Sequence, residues 1–257
     1  MISIHPTAIV HPGARIDEDC NIGPYCIIGE NVALGKGNIL VSHVVIDGIT
    51  TIGDNNKIFS YAVIGTDPQD LKFKNEPTRL NIGSNNTIRE FVTINRSNQI
   101  EEDTNVGDSN LLMEYLHIAH NCQIGNGCVI ANAVQMAGHV HIADNAIIGG
   151  QTAIHQFVHI GAYAFVGGAS AIKKDIFPFT RGQGNPYKTV GLNSVGLMRR
   201  GFSSETIALI KDMYNLFYRS GLNTSQALEK AGKLDNPSAE QQLIIDFVQK
   251  AERGLSN

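Results

Sequence analysis

Tryptophan is absent from the 257 residues, cysteine occurs only 4 times, and charged side chains make up 17%, against about 25% in an average soluble chain. No stretch approaches the roughly 18 consecutive apolar residues that would suggest a membrane span, so none is expected. The opening Met1-Ile2-Ser3-Ile4-His5-Pro6 has no basic segment ahead of a long apolar run, so no secretory signal is expected. A net charge of −4 gives no whole-chain case for binding nucleic acid. Glycine and proline totals are ordinary, which excludes collagen-like and disordered chains. The composition reads as that of a soluble, intracellular chain with enough apolar material for a substantial core.

What the sequence has is a repeat. Every sixth residue from Ile4 is apolar: Ile4, Val10, Ile16, Ile22, Ile28, Leu34, Leu40, Ile46, Ile52, Ile58, Ile64. The series fails at Asp70 and Glu76, resumes in the same phase at Ile82 and runs on to Ile172, with 27 of 29 positions apolar. The following residue is often glycine (Gly23, Gly29, Gly35, Gly53, Gly83, Gly107, Gly125), and the residue two before is small or asparagine (Ala8, Ala14, Cys20, Cys26, Asn38, Asn86). A helical period of 3.6 cannot hold a six-residue phase over such a length. One large and one small inward residue per unit suit a short strand and a corner. Three units close a triangular turn of about 18 residues, and turns stack about 4.8 Å apart, the strand spacing. Gly, Asn and Asp are expected at the corners because they tolerate positive φ. The fold class is therefore mainly β, a parallel β-helix of roughly nine or ten coils. Cys20, Cys26, Cys122 and Cys128 all take the small inward position, so neither a disulfide nor a cysteine–metal site is predicted.

The repeat is expected to fill residues 1–190, with an extruded loop over 66–81 bracketed by Pro68 and Pro77 and an extended linker over 173–190. Arg96 to Asn105 is irregular but in phase and reads as a bulged corner. Residues 191–257 read as a helical domain: Ser203-Ser204-Glu205, Thr224-Ser225-Gln226 and Pro237-Ser238 each open a helix. That tail must pack on something, most simply the side of a solenoid. From Ala171 to Gly201 there are six basic residues against Asp175 alone, which suits a phosphorylated ligand or an acidic partner.

With three repeats per coil, His120, His139 and His155 fall near one edge of the prism on successive coils, and His117 precedes His120 by a short step. Such a row could bind a metal between subunits or supply a general base in a groove. The hexameric repeat itself resembles the hexapeptide-repeat family, which implies a left-handed coil and trimeric assembly. The text His117-Ile118-Ala119-His120-Asn121-Cys122, Ala137-Gly138-His139-Val140, His155-Gln156-Phe157 and Arg199-Arg200-Gly201-Phe202-Ser203 is more specific. With Gln69-Asp70-Leu71-Lys72 and Glu76-Pro77-Thr78-Arg79 it resembles, over the whole chain, the acyl-[acyl-carrier-protein]–UDP-N-acetylglucosamine O-acyltransferases of lipid A biosynthesis.

That resemblance implies transfer of a 3-hydroxyacyl chain from acyl carrier protein to the 3-hydroxyl of UDP-N-acetylglucosamine, without cofactor or metal, in the cytoplasm of a Gram-negative bacterium. His120 corresponds to the family's general base; a neutral imidazole, with a pKa of about 6.5, suits the task. By the same resemblance Gln69, Asp70, Lys72 and His117 hold the sugar, with His139 along the same groove. His155 and Gln156 serve the diphosphate or thioester end, and Asn193 and Arg199 the uridine diphosphate. Arg200 and the linker lysines meet the acidic carrier protein, and Gly168 leaves the acyl groove long. Gly138 or Gly150 offers an N–H to the oxyanion, a choice left open. Two positions depart from the family pattern: Asn121 stands where an acidic residue follows the base, and Val195 where a carboxylate is expected. Alternatives from the residues are an amino-sugar acceptor, a coenzyme A-dependent hexapeptide acetyltransferase, a γ-type carbonic anhydrase and a purely structural solenoid. The sister N-acyltransferase carries an extra N-terminal domain, which is not expected here with the repeat starting at Ile4.

Overall fold

Short strands of mostly two residues, most of them ending on the inward apolar residue, follow the six-residue repeat. In the computed structural model, which describes residues 1–257, they assemble into three parallel sheets that form the faces of a triangular prism. Face A holds Ser3–Ile4, Asn21–Ile22 and their successors, face B Ile9–Val10 and its successors, and face C Arg15–Ile16 and its successors. Face B alone stacks nine rungs. Partners in neighbouring rungs are mostly three repeats apart, as Ile4 with Ile22 and Ile28 with Ile46. The inward residues form one continuous core, in which Ile22, Ile46, Ile88, Ile118 and Val166 are fully buried. The four cysteines lie in that core, and burial pushes the thiols of Cys122 and Cys128 up to about 12 and about 11.

Where extra chain leaves the prism, the register lengthens. Ile52 pairs with Ile82, five repeats on instead of three, across the first loop. Ile94 pairs with Ile118, four repeats on, across a second. The passage from Arg96 is thus a second extruded loop, one repeat long, and no bulged corner; Ile100 keeps the phase yet is 51% exposed. Both loops leave from the corner between faces B and C, one coil apart.

The corners use the repeat differently from expectation. The position three after the inward residue takes φ near +60°, and asparagines fill it at Asn55, Asn85 and Asn121. So do bulky side chains: Tyr25, Tyr61, Phe91 and Tyr115 hold φ between 58° and 66°. With His43 they form a stack along the A–B corner, ring centroids 4.9 to 5.1 Å apart, the rung spacing itself. Most of the glycines that follow the inward residue do not have positive φ. At Gly107 a Cβ would meet the Gly125 oxygen at 2.8 Å, so glycine is there because the next coil passes too close. Inside the A–C corner Asn38, Asn56, Asn86 and Asn110 form a buried ladder in which each side-chain oxygen accepts the backbone N–H of the next rung.

Residues 173–190, expected as an extended linker, are built into the fold. Ile176 bridges Ile160, Thr180–Gln183 adds a parallel strand to face A, and Lys188–Leu192 folds back antiparallel on it. Four helices follow: α1 (Ser194–Arg199), α2 (Ser204–Tyr218), α3 (Thr224–Ala231) and α4 (Ala239–Gln249). Ser203, Asn223 and Ser238 cap the last three through their side chains. The helices bury Ile210, Met213, Phe217, Ile244 and Val248 against Phe177 and Phe179 of the last coil, and Phe247 of α4 lines a groove on face C with His141 and His159. The chain end is tied back there: Asp175 is fully buried and its carboxylate accepts the N–H groups of His159 and Arg253 at 2.8 and 3.0 Å.

Candidate active site

The B–C corner presents one residue per coil in the left-handed conformation, and on three successive coils these are Asn121, His139 and Phe157. His120 precedes Asn121 on the same corner. The His139 ring stacks on Phe157 at 4.6 Å and meets His120 edge-on at 5.3 Å. The two extruded loops, rooted on the coils below, rise beside these rings. The first is fastened by the second: Arg96 pairs with Asp67 at 2.7 Å and lies over Phe73, and Asn95 Nδ2 donates to the Asp67 carbonyl. The open groove between them, about 1170 Å³, is lined by Gln69, Asp70, Lys72, His117, His120, Gly138, His139 and Gln156 among others.

Inside it the polar groups are ordered. His117 Nδ1 is 2.8 Å from Thr93 Oγ1, and burial pushes the His117 imidazole below its ordinary pKa, with His120 adding to the effect. Asp70 Oδ1 accepts the Lys72 N–H at 3.0 Å and its Oδ2 accepts from Asn98 Nδ2 at 2.7 Å, which hold the carboxyl below the usual range. His120 Nδ1 is 2.9 Å from Asn121 Oδ1. Burial lowers the His139 imidazole while Glu102, 3.3 Å from its Nδ1, pulls it back up. Gly138 lies directly against the His120 ring: a Cβ there would stand 2.5 Å from Cε1 and 2.7 Å from Nε2. Its N–H has no partner in the chain. The arrangement presents an imidazole nitrogen and a free backbone donor to the same small space, the combination that acyl transfer needs.

The other expected site residues lie elsewhere. His155 is exposed on the same corner but turns into a neighbouring groove with Ala137, Ala153, Ala171 and Lys173. Asn193, Arg199 and Arg200 line a separate cavity of about 520 Å³ on face A, with Ile147, Phe165, Arg181 and Val195. Asn193 also caps α1 and donates to the Tyr163 carbonyl at 3.0 Å, and Arg200 Nη1 donates to Asn145 Oδ1 at 2.6 Å. Gly168 sits at the A–B corner against the Gly150 oxygen, well away from the histidines in the repeat. Sequence reasoning missed Asn98, Gln99 and Glu102 on the second loop, at which only the irregularity after Arg96 hinted; Arg181, one of the six basic residues between Ala171 and Gly201, lines the face A cavity.

A prism of six-residue repeats with an imidazole-lined corner cavity, two loops over it and a basic cavity on another face defines a hexapeptide-repeat acyltransferase. Similarity to known proteins carries this further. A profile described as UDP-N-acetylglucosamine O-acyltransferase, domain 2, matches residues 175–256, and one for the bacterial transferase hexapeptide matches 103–138. The chain is 50% identical to the acyl-[acyl-carrier-protein]–UDP-N-acetylglucosamine O-acyltransferase of Thermodesulfovibrio yellowstonii, covering 99% of each. Among solved structures, the UDP-N-acetylglucosamine O-acyltransferase of Moraxella catarrhalis is 44% identical with a TM-score of 0.95, covering 99% of each chain. The UDP-N-acetylglucosamine acyltransferase of Francisella novicida is 38% identical with a TM-score of 0.96, covering 100% of this chain and 94% of its own. The chain belongs to the acyl-[acyl-carrier-protein]–UDP-N-acetylglucosamine O-acyltransferase family, and with it shares the left-handed coil.

Proposed function

We propose that the protein transfers a 3-hydroxyacyl chain from acyl carrier protein to the 3-hydroxyl of UDP-N-acetylglucosamine, the first step of lipid A biosynthesis, with His120 as general base. The observation that carries this is the placement of His120 in the corner cavity: its Nδ1 is turned to Asn121 Oδ1, which leaves Nε2 on the side of Gly138 and the open space. The sugar hydroxyl attacks the thioester carbonyl carbon as Nε2 takes its proton. The negative charge that develops on the carbonyl oxygen meets the Gly138 N–H. Gly150 is the poorer choice, because it lies at the A–B corner beside Asn132 and Ala131. Collapse of the tetrahedral intermediate breaks the carbon–sulfur bond, and the imidazolium returns its proton to the departing thiolate. The thioester is already activated, so no acyl-enzyme is required.

Gln69, Asp70, Lys72 and His117 surround His120 at the depth where a sugar ring would sit, and His139 and Gln156 continue the wall. The uridine diphosphate belongs to Asn193 and Arg199, where a guanidinium fork suits phosphate oxygens, and Val195 offers it no carboxylate. His155 and Lys173 line the groove along which the thioester arm would lie. Arg200 and the lysines nearby face the acidic carrier protein. The histidine cavity and the Asn193–Arg199 cavity share no lining residue and open on different parts of the prism. One substrate can touch both only where two copies meet, which favours the homotrimer. No helix is long and apolar enough to cross a membrane, and acyl carrier protein places the reaction in the cytoplasm.

The test offers the purified protein UDP-N-acetylglucosamine with a series of 3-hydroxyacyl carrier proteins and weighs the sugar-nucleotide product. One dominant O-acylated mass supports the reaction and gives the chain length. A loaded carrier protein with no sugar product would refute the acceptor and turn attention to an amino sugar.

A further inference from the structure

We infer that Glu102, on the second extruded loop, is the positioning residue that supplies negative charge to the histidine pair, acting on His120 through the Asn121 amide and on His139 directly. The inference rests on the reading of His120 as the base.

The Asn121 side chain is fully buried and its orientation is fixed by four partners. Nδ2 donates to Ser97 Oγ at 2.8 Å, and to the Glu102 carbonyl and Glu102 Oε2, each at 3.1 Å. Oδ1 accepts the Asn98 N–H at 3.1 Å. Turning the amide over would set its NH₂ against that N–H and its oxygen against three acceptors. Oδ1 therefore faces His120 Nδ1, which must carry the proton, and Nε2 is left as the free base. Glu102 Oε2 accepts from Asn121 Nδ2 and from Gln99 Nε2 at 3.2 Å, and lies 3.3 Å from His139 Nδ1. A carboxylate on the NH₂ end of a buried amide polarises it, so that its oxygen is a stronger acceptor for an imidazolium at the other end. An amide by itself offers a dipole; an amide backed by Glu102 does the work of a carboxylate beside the base. Other titratable and charged groups stand around the pair and Glu102: Asp70 and Lys72 from the first loop, His117 from the adjoining strand, His141 on face C, and Arg79, Glu101 and Asp103 in the pocket that Glu102 borders on its far side.

The geometry makes a reciprocal prediction. Glu102→Gln keeps the length and a hydrogen bond but removes the charge. The kcat is expected to fall by at least about tenfold, the order seen when an outer partner of a functional imidazole is lost. KM for UDP-N-acetylglucosamine is expected to stay within about twofold, because the side chain makes no hydrogen bond to Gln69, Asp70, Lys72 or His117 and meets only His139 at the edge of that wall. The acid limb of the kcat profile moves to lower pH, since the imidazolium is less stabilised. Asn121→Asp alone sets two carboxylates face to face and is expected to fall as far. In the double variant the new amide on the second loop can donate to the new carboxylate beside His120. There kcat is expected to recover to within about threefold of the parent, a coupling that independent sites cannot produce.

The measurement is kcat and KM across pH for the parent and three variants, with thermal unfolding and an NMR titration of the His139 imidazole in the parent and Glu102→Gln. The His139 titration should move to lower pH in Glu102→Gln, and it does not depend on turnover. An unchanged kcat in Glu102→Gln, or a double variant as slow as the product of the singles, would overturn the inference. A fully active His120→Ala variant with the His139 shift present would instead refute the base and leave the Glu102 contact standing.

Discussion

Placing a methyl group on Gly138 is the sharpest available test of the base, because the structure sets the size of the effect. Gly138 has no positive φ, so alanine is accepted by the backbone there. Its Cβ would stand 2.5 Å from His120 Cε1, whereas carbon atoms rest about 3.5–4.0 Å apart. The His120 ring must retreat by about 1 Å, and it borders the groove proposed to hold the substrate. A misplacement of about 1 Å at a reacting group costs on the order of 10²-fold in rate. Stability should change by less than about 1 kcal/mol, since no apolar side chain is removed and the displaced ring borders open space. Alanine keeps the N–H, so a loss of rate reads displacement of the base rather than loss of the oxyanion donor. The assay is kcat and KM from the mass of acylated sugar nucleotide, with thermal unfolding alongside. Gly138→Ala that unfolds normally and keeps more than a third of the parent kcat would refute the placement of His120 at the reacting atoms.

His120→Ala should leave the fold intact while kcat drops by about 10²–10⁴-fold, the range for removing a general base; retention of a tenth of the activity would mean another group takes the proton. Asn56→Ala deletes one rung of the buried amide ladder, leaving the Asn86 N–H and the Gly83 carbonyl short of a partner while the Gly53 carbonyl keeps Asn38 Nδ2. Chemical denaturation should show a loss of about 2–4 kcal/mol, since each orphaned group costs about 1–3 kcal/mol. His117, His139 and His141 all have imidazoles lowered by burial, so the unfolded chain binds protons that the folded one refuses. Stability should be flat above pH of about 7 and fall as pH drops below about 6.5, and His141→Gln, outside the cavity, should shallow that fall in thermal unfolding. Gly168→Met, at a corner with the Gly150 oxygen 3.1 Å from a Cβ, should turn the product mass towards shorter acyl chains; an unchanged chain length would remove Gly168 from the acyl groove.

The prism was legible because one buried residue every six positions is a demand that few sequences meet by accident. The same phase also concealed structure. A loop one repeat long after Arg96 returns the chain in step, so Ile100 counts towards the pattern while lying outside the core. Only the register of Ile94 with Ile118 exposes it. The opposite error came at 173–190: Ile176 follows Ile172 by four positions and pairs with Ile160, short of a full coil. The coil continues, but the period has slipped, so the sequence looks like a linker. Glycine after the inward residue was a true signal with another cause, the closeness of the next coil.

The site divides along the same line. His120 and His139 could be placed from spacing alone, because the repeat fixes the corner and the coil of each. Asn98 and Glu102 could not, since residues on an extruded loop escape the lattice that makes the rest readable. Asn193 and Arg199, assigned by resemblance to the uridine diphosphate, and Arg200, assigned to the carrier protein, line a cavity of their own on face A. Asn121 joins both cases. Next to His120 it reads as a missing carboxylate, a gap in the machinery one residue wide. In space the carboxylate is present: Glu102 stands 3.1 Å behind the amide, on a loop one coil below. Charge at an imidazole is felt by distance and by the hydrogen bonds that carry it, so a position-by-position comparison will report a loss where the fold has only moved the charge one bond further out.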